Sequence, residues 1–136
     1  MKAGRFLKYH FPFLAWLLII FIQSSFPAVD LPKVEFFSSD KIVHAGVYGL
    51  LAALCFISLI HIKKENLFTG NVYLWTGIIT ILYGASDEIH QYFVPNRSSE
   101  LQDWLADIAG VIVMLILIKV FLNKKMNLFR REQTNG

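Results

Sequence analysis

Four long apolar runs alternate with short polar stretches along this chain of 136 residues. They extend from about Phe6 to Phe26, Ile42 to Ile62, Val72 to Phe93 and Trp104 to Leu122. Each is close to the ~20 residues that a helix needs to cross ~30 Å of hydrocarbon. Lipid offers no partner to an open backbone N–H or C=O, so each run is predicted as a helix. The expected fold class is an all-α membrane protein, with four transmembrane helices in one bundle. Breakers fall where such helices need them. Pro12 lies in the first turns of the first run, where a missing N–H matters least. Pro27 and Pro32 punctuate the loop that follows, Gly70-Asn71 separates the second run from the third, and Pro95 ends the third.

The polar stretches orient these helices. Ten basic residues (Lys2, Arg5, Lys8, Lys63, Lys64, Lys119, Lys124, Lys125, Arg130 and Arg131) fall on one side, against Lys33, Lys41 and Arg97 on the other. The positive-inside rule then predicts cytoplasmic termini and a cytoplasmic 63–71 loop, with the 27–41 and 94–103 loops facing outward. A single membrane domain over 1–136 is expected, with 123–136 as a basic cytoplasmic tail. Composition agrees: 55% hydrophobic and 17% charged residues make the chain too apolar for an ordinary soluble domain. The net charge of +3 is explained by topology and by anionic headgroups, so nucleic acid is not an expected partner. Lys2, Arg5 and Lys8 before an apolar run also resemble a signal peptide, but no small-x-small cleavage pattern follows at Gln23–Ala28. Cys55, the single cysteine, sits in an apolar run and reads as a small core residue. There is no C-x-x-C pair, Gly-rich phosphate loop or internal repeat.

Acids change the picture most. Asp30, Glu35, Asp40, Asp87, Glu88, Glu100, Asp103 and Asp107 fall on the predicted outer side, and only Glu65 and Glu132 on the inner. Acids contribute little to orientation, so this bias is a separate signal. Helical spacing puts Asp40, His44 and Tyr48 on one stripe, Asp87 and Gln91 on one face, and Asp103 and Asp107 on one face with Gly110. Ionisable side chains in a membrane are costly, so these stripes are expected to face each other and form a polar site. Ala45, Gly49 and Ala53, and likewise Ala106 and Gly110, form small-xxx-small ladders, which are also generic packing signals.

The run DKIVHAGVYGLL, from Asp40 to Leu51, is followed by SDEIHQYFVPNRSSELQDWLADIAG, from Ser86 to Gly110. Three motifs in these stretches, DK-x-x-H-x-x-x-Y, SDE-x-x-Q-x-F-x-P-x-R and D-x-x-A-D-x-x-G, resemble the VanZ-like family of small multi-pass membrane proteins. Two positions depart from its usual pattern: Asp107, where many members have Asn, and Asn96, where Gly is frequent. The family's founding member is associated with low-level resistance to the glycopeptide teicoplanin. The resemblance therefore implies a bacterial cytoplasmic-membrane protein with a cell-envelope role of a resistance type, and it supplies no reaction.

Two uses of the cluster stay open. In the first, His44, Asp87 and Glu88 move a proton, with Asp40, Tyr48, Gln91, Arg97, Asp103 and Asp107 binding a lipid-linked or phosphate-bearing envelope component. In the second, the same residues are a hydrogen-bonded lock for a non-catalytic structural or partner-recruiting protein: His44 satisfies a carboxylate, and Arg97 is salt-bridged to Asp87, Glu88 or Asp103. Transport ranks third, because four helices are few for a carrier. Asp87 and Glu88, adjacent on a helix, cannot alone clamp a cation. No H-E-x-x-H or comparable spacing is present, so no metal site is expected and the cofactor stays unassigned.

Overall fold

The computed structural model describes residues 3–27, 37–62, 71–97 and 99–134. Among these there are five α-helices and no strand: α1 (Ala3–Tyr9), α2 (Phe11–Ser25), α3 (Phe37–Ile60), α4 (Val72–Tyr92) and α5 (Leu101–Thr134). Asp30, Pro32, Lys33, Glu35, Lys63, Lys64, Glu65, Gly70 and Lys2, on which part of the topology prediction rests, lie outside the described residues.

The second and third runs are helices as predicted, though α4 is not among the helices apolar enough to count as a candidate span, and the first and fourth differ. The first is two helices, α1 and α2, bent by 49° at His10. Pro12 explains the bend. It stands in the first turn of α2, and its ring crowds the carbonyl four residues back, so a straight helix from Arg5 onward is unfavourable. The fourth run starts at Leu101 and stays helical through Thr134, past the predicted end at Leu122. Its later turns are rich in Leu, Lys, Met and Arg, good helix formers whether or not lipid surrounds them. By length and composition, Asp40–Ile60 and Leu101–Arg130 are able to cross a membrane, and α1 with α2 is a third candidate if the bent pair is one span.

Packing is inside-out relative to a soluble protein. In α4 the buried residues are Thr76, Thr80, Gly84, Asp87, Glu88 and Gln91, while Leu74, Ile78, Leu82 and Ile89 face outward. Thr76 and Thr80 satisfy their hydroxyls on the carbonyls of Val72 and Thr76, at 2.8 and 2.7 Å. In water this arrangement would bury the wrong face; in lipid it is the favourable one. Asn71 starts the helix by accepting the Leu74 N–H at 3.2 Å.

α3 packs on α4 and α5, α4 on α5, and α2 on α3 and α4. The apolar centre is Ile20, Tyr48, Leu51, Ala52 and Val111. Aromatic side chains tie neighbouring helices through carbonyls: Trp16 Nε1 donates to Val47 O at 3.1 Å, Tyr83 Oη to Leu17 O at 2.6 Å, and Trp104 Nε1 to Ile81 O at 3.1 Å. The backbones of α3 and α5 approach each other closely. A Cβ added at Gly110 would lie 2.6 Å from the carbonyl carbon of Ala45, and one at Gly49 would lie 3.3 Å from Gly110 O. The ladders at Ala45/Gly49 and Ala106/Gly110 thus meet each other.

From α2 onward the helices alternate in direction. The C-terminal ends of α2 and α4 therefore lie with the N-terminal ends of α3 and α5, joined by contacts such as Ser25 to His90 at 2.9 Å and Lys41 to Glu100 at 3.3 Å. At the opposite end, His10 Nδ1 bonds Ser58 Oγ at 2.8 Å, and Tyr9 stacks on His61 with centroids 3.5 Å apart. Between α4 and α5 the chain turns through Asn96, whose φ of 60° is left-handed. Asn and Gly are the residues that occupy that region most readily.

Candidate functional site

The charged side chains of α3, α4 and α5 meet at the end where α2 and α4 finish. His44 stands at the centre, with one group of partners on either side. Toward α5, its Nδ1–H donates to Asp107 Oδ1 at 3.1 Å. Asp107 is 1% exposed. Its carboxylate has room because position 84 is glycine: a Cβ there would lie 3.2 Å from Asp107 Oδ2. One helical turn nearer the start of α5, Asp103 pairs with Lys41, which also reaches Glu100 Oε2 at 3.3 Å.

Toward α2, a recess of about 50 Å³ is lined by His44 and Tyr48 of α3, Asp87 and Gln91 of α4, Gln23 and Ser24 of α2, and Arg97. That volume accommodates a few water molecules, at roughly 10–15 Å³ each by this measure. It is too small for a lipid headgroup, which would have to contact it from the mouth. Gln91 Nε2 donates to Asp87 Oδ2 at 2.9 Å, one turn apart on α4 as the spacing predicts. Glu88 turns the other way. Its Oε2 accepts from Ser99 Oγ at 3.2 Å and from the Glu100 N–H at 3.1 Å, closing the start of α5. Its Oε1 is buried and, among the described residues, has no hydrogen-bond partner.

Most of the predicted residues come together here: His44, Tyr48, Asp87, Glu88, Gln91, Asp103 and Asp107 converge, and Arg97 lines the recess. Asp40 stays at the rim, its side chain 67% exposed and 4.0 Å from Lys41. The expected salt bridge of Arg97 to Asp87, Glu88 or Asp103 is not formed; Arg97 Nη1 instead donates to Gln23 O at 3.0 Å, satisfying a carbonyl near the end of α2. Lys41 takes the pairing role, and spacing offered a sign of it, since it stands one turn before His44. Gln23, Ser24 and Ser99 were also missed. Gln23 and Ser24, polar residues closing an apolar run, are a weak sign at most, and nothing local marks Ser99.

The donors present fit a metal ion in two sets. Asp40, His44 and Asp103 form one, and His44, Glu88 and Asp107 the other; in each, one ligand atom per residue lies within 4.8 Å of the others. No spacing along the chain reveals either set, because each draws on more than one helix.

No curated protein and no solved structure matches the chain. The family model described as VanZ/LLP1 matches residues 9–122, which include every residue of the cluster. With that match over most of its length and apolar helices able to cross a bilayer, the chain belongs to the VanZ/LLP1 family of membrane proteins.

Proposed function

We propose that the protein is a single membrane domain with four crossings and cytoplasmic termini. In this reading its polar cluster sits beneath the outer headgroups of a bacterial cytoplasmic membrane and binds or acts on a phosphate-bearing envelope lipid. One observation carries it: carboxylates from three helices gather around His44 next to a recess that Arg97 also lines. Such groups are costly in lipid unless they serve each other or a ligand. The inward polar face of α4 supports counting it as a span. Arg97 has several N–H donors, of which one is on Gln23, and a guanidinium fork suits a phosphate at the mouth. His44 is the group to move a proton, with Asp87 beside it in the recess. A glycopeptide-resistance role of the teicoplanin type belongs to this same reading, as a cellular consequence of the site.

A second reading has its own observation. Asp87, Glu88, Asp103 and Asp107 are each already bonded inside the protein, as a purely structural lock requires. Substituting Asp87→Asn and Arg97→Gln, which leave the buried His44–Asp107 pair intact, separates the two. We expect membrane abundance, by quantitative blotting, to stay within about twofold of wild type, while the envelope phenotype of a deletion strain is no longer restored. Loss of abundance in step with the phenotype would favour the lock instead.

A further inference from the structure

We propose that His44, Glu88 and Asp107 form a binding site for one borderline divalent cation of the Zn²⁺ type. Each residue offers one ligand atom, and these atoms lie within 4.8 Å of one another. His44 Nδ1 and Asp107 Oδ1 are 3.1 Å apart, and neighbouring ligands on a tetrahedral zinc are about 3.3 Å apart at bond lengths near 2.0–2.1 Å. The spacing suits a shared ion, which takes the place of the proton now on Nδ1; that proton is released on binding. Glu88 offers a carboxylate oxygen within 4.8 Å of both His44 and Asp107.

The carboxylate of Glu88 is what points to a ligand. Glu88 is 7% exposed, and among the described residues Oε1 has no hydrogen-bond partner. Ser99 and the Glu100 N–H hold only Oε2, in the way that outer hydrogen bonds orient metal-bound carboxylates. Among the described residues no lysine or arginine lies within ion-pair distance of Glu88, whereas Asp103 has Lys41. A buried carboxylate with a bare oxygen and no cation is costly, and a divalent ion removes that cost. The donor set chooses the ion: an imidazole with two carboxylates suits zinc, while calcium takes oxygen ligands throughout. The set made by Asp40, His44 and Asp103 is less suited, since Lys41 already occupies Asp103. Three protein ligands leave a position for an oxygen from outside. That this oxygen belongs to a phosphate rests on the function proposed above.

The test uses the full chain in lipid nanodiscs, stripped with chelator and titrated with zinc chloride by equilibrium dialysis. One zinc per chain is expected, with affinity reduced at least about tenfold in His44→Ala and in the isosteric Glu88→Gln. Ser86→Ala, outside the cluster, should bind as wild type. No zinc in the wild type, or zinc that ignores both substitutions, overturns the proposal. Headgroup binding is measured in the same discs with phosphatidylglycerol. Zinc bound without headgroup binding supports the cation site and sinks the lipid-directed function. Headgroup binding without zinc overturns the cation site and spares that function.

Discussion

Gly110→Ala is expected to destabilise the protein by about 2–3 kcal/mol, the upper part of the range for overpacked cores, and Gly110→Leu to abolish folding. The added Cβ would lie 2.6 and 2.7 Å from the carbonyl carbon and Cα of Ala45, and would run into its carbonyl oxygen. These are backbone atoms in the middle of α3. No side chain can swing aside, so α3 and α5 must part. The parting falls one turn from the His44–Asp107 contact and two turns from Lys41–Asp103, so zinc and headgroup binding should fall with it. Gly46 is the control on the same helix pair. A Cβ there meets nothing within 4 Å, so Gly46→Ala should leave stability unchanged or raise it by up to about 1 kcal/mol through helix propensity. Thermal unfolding followed by circular dichroism compares the two, and equal melting temperatures would contradict the α3–α5 crossing.

Asp107→Leu is expected to cost about 3 kcal/mol, the scale for removing one member of a buried pair. Asp107 is 1% exposed and is the partner of His44 Nδ1. An apolar replacement leaves the imidazole N–H facing Leu and puts wider methyl groups against position 84, where even a Cβ would stand 3.2 Å from the Asp107 carboxylate and from Tyr48 Cε1. Asp107→Asn keeps an acceptor of the same shape and should lose only about 1 kcal/mol, one hydrogen bond's worth. The same unfolding measurement separates them. The double variant His44→Leu/Asp107→Leu should recover part of the loss, since the stranded N–H is gone. If Leu and Asn at 107 proved equally stable, the His44–Asp107 contact would carry no weight in the fold.

Much of the fold was legible because a lipid solvent imposes simple rules. Run lengths near one bilayer thickness located α3 and α4 to within a few residues. Pro12 was recognised as a helix-starting proline, yet the helix it starts is α2, with α1 bent away before it. The end of α5 was missed for a different reason: hydrophobicity marks where lipid ends, not where hydrogen bonding along a helix ends.

Within the cluster, contacts along one helix were legible and contacts between helices were not. Gln91 to Asp87 is an i, i+4 pair and follows from periodicity alone. Which cation meets which acid depends on the register of α3 against α5, set by the Gly110–Ala45 approach, and no periodicity encodes it. Hence Arg97 was expected among the acids and is found on Gln23 O, while Lys41 holds Asp103 and Glu100. The site motif itself contained one structural clue. Asn96 stands where the family often has Gly, and its φ of 60° is the conformation those two residues share.

The convergence of α3 and α5 on the site is tested most directly by zero-length cross-linking of the unmodified protein in its membrane. A carbodiimide joins an amine to a carboxylate only when the two already touch. Digestion and mass spectrometry should yield an amide between Lys41 and Glu100 or Asp103, absent in Lys41→Arg. If Lys41 were joined instead to Glu65 or Glu132, or to no acid of its own chain, the charged side chains would not meet as described.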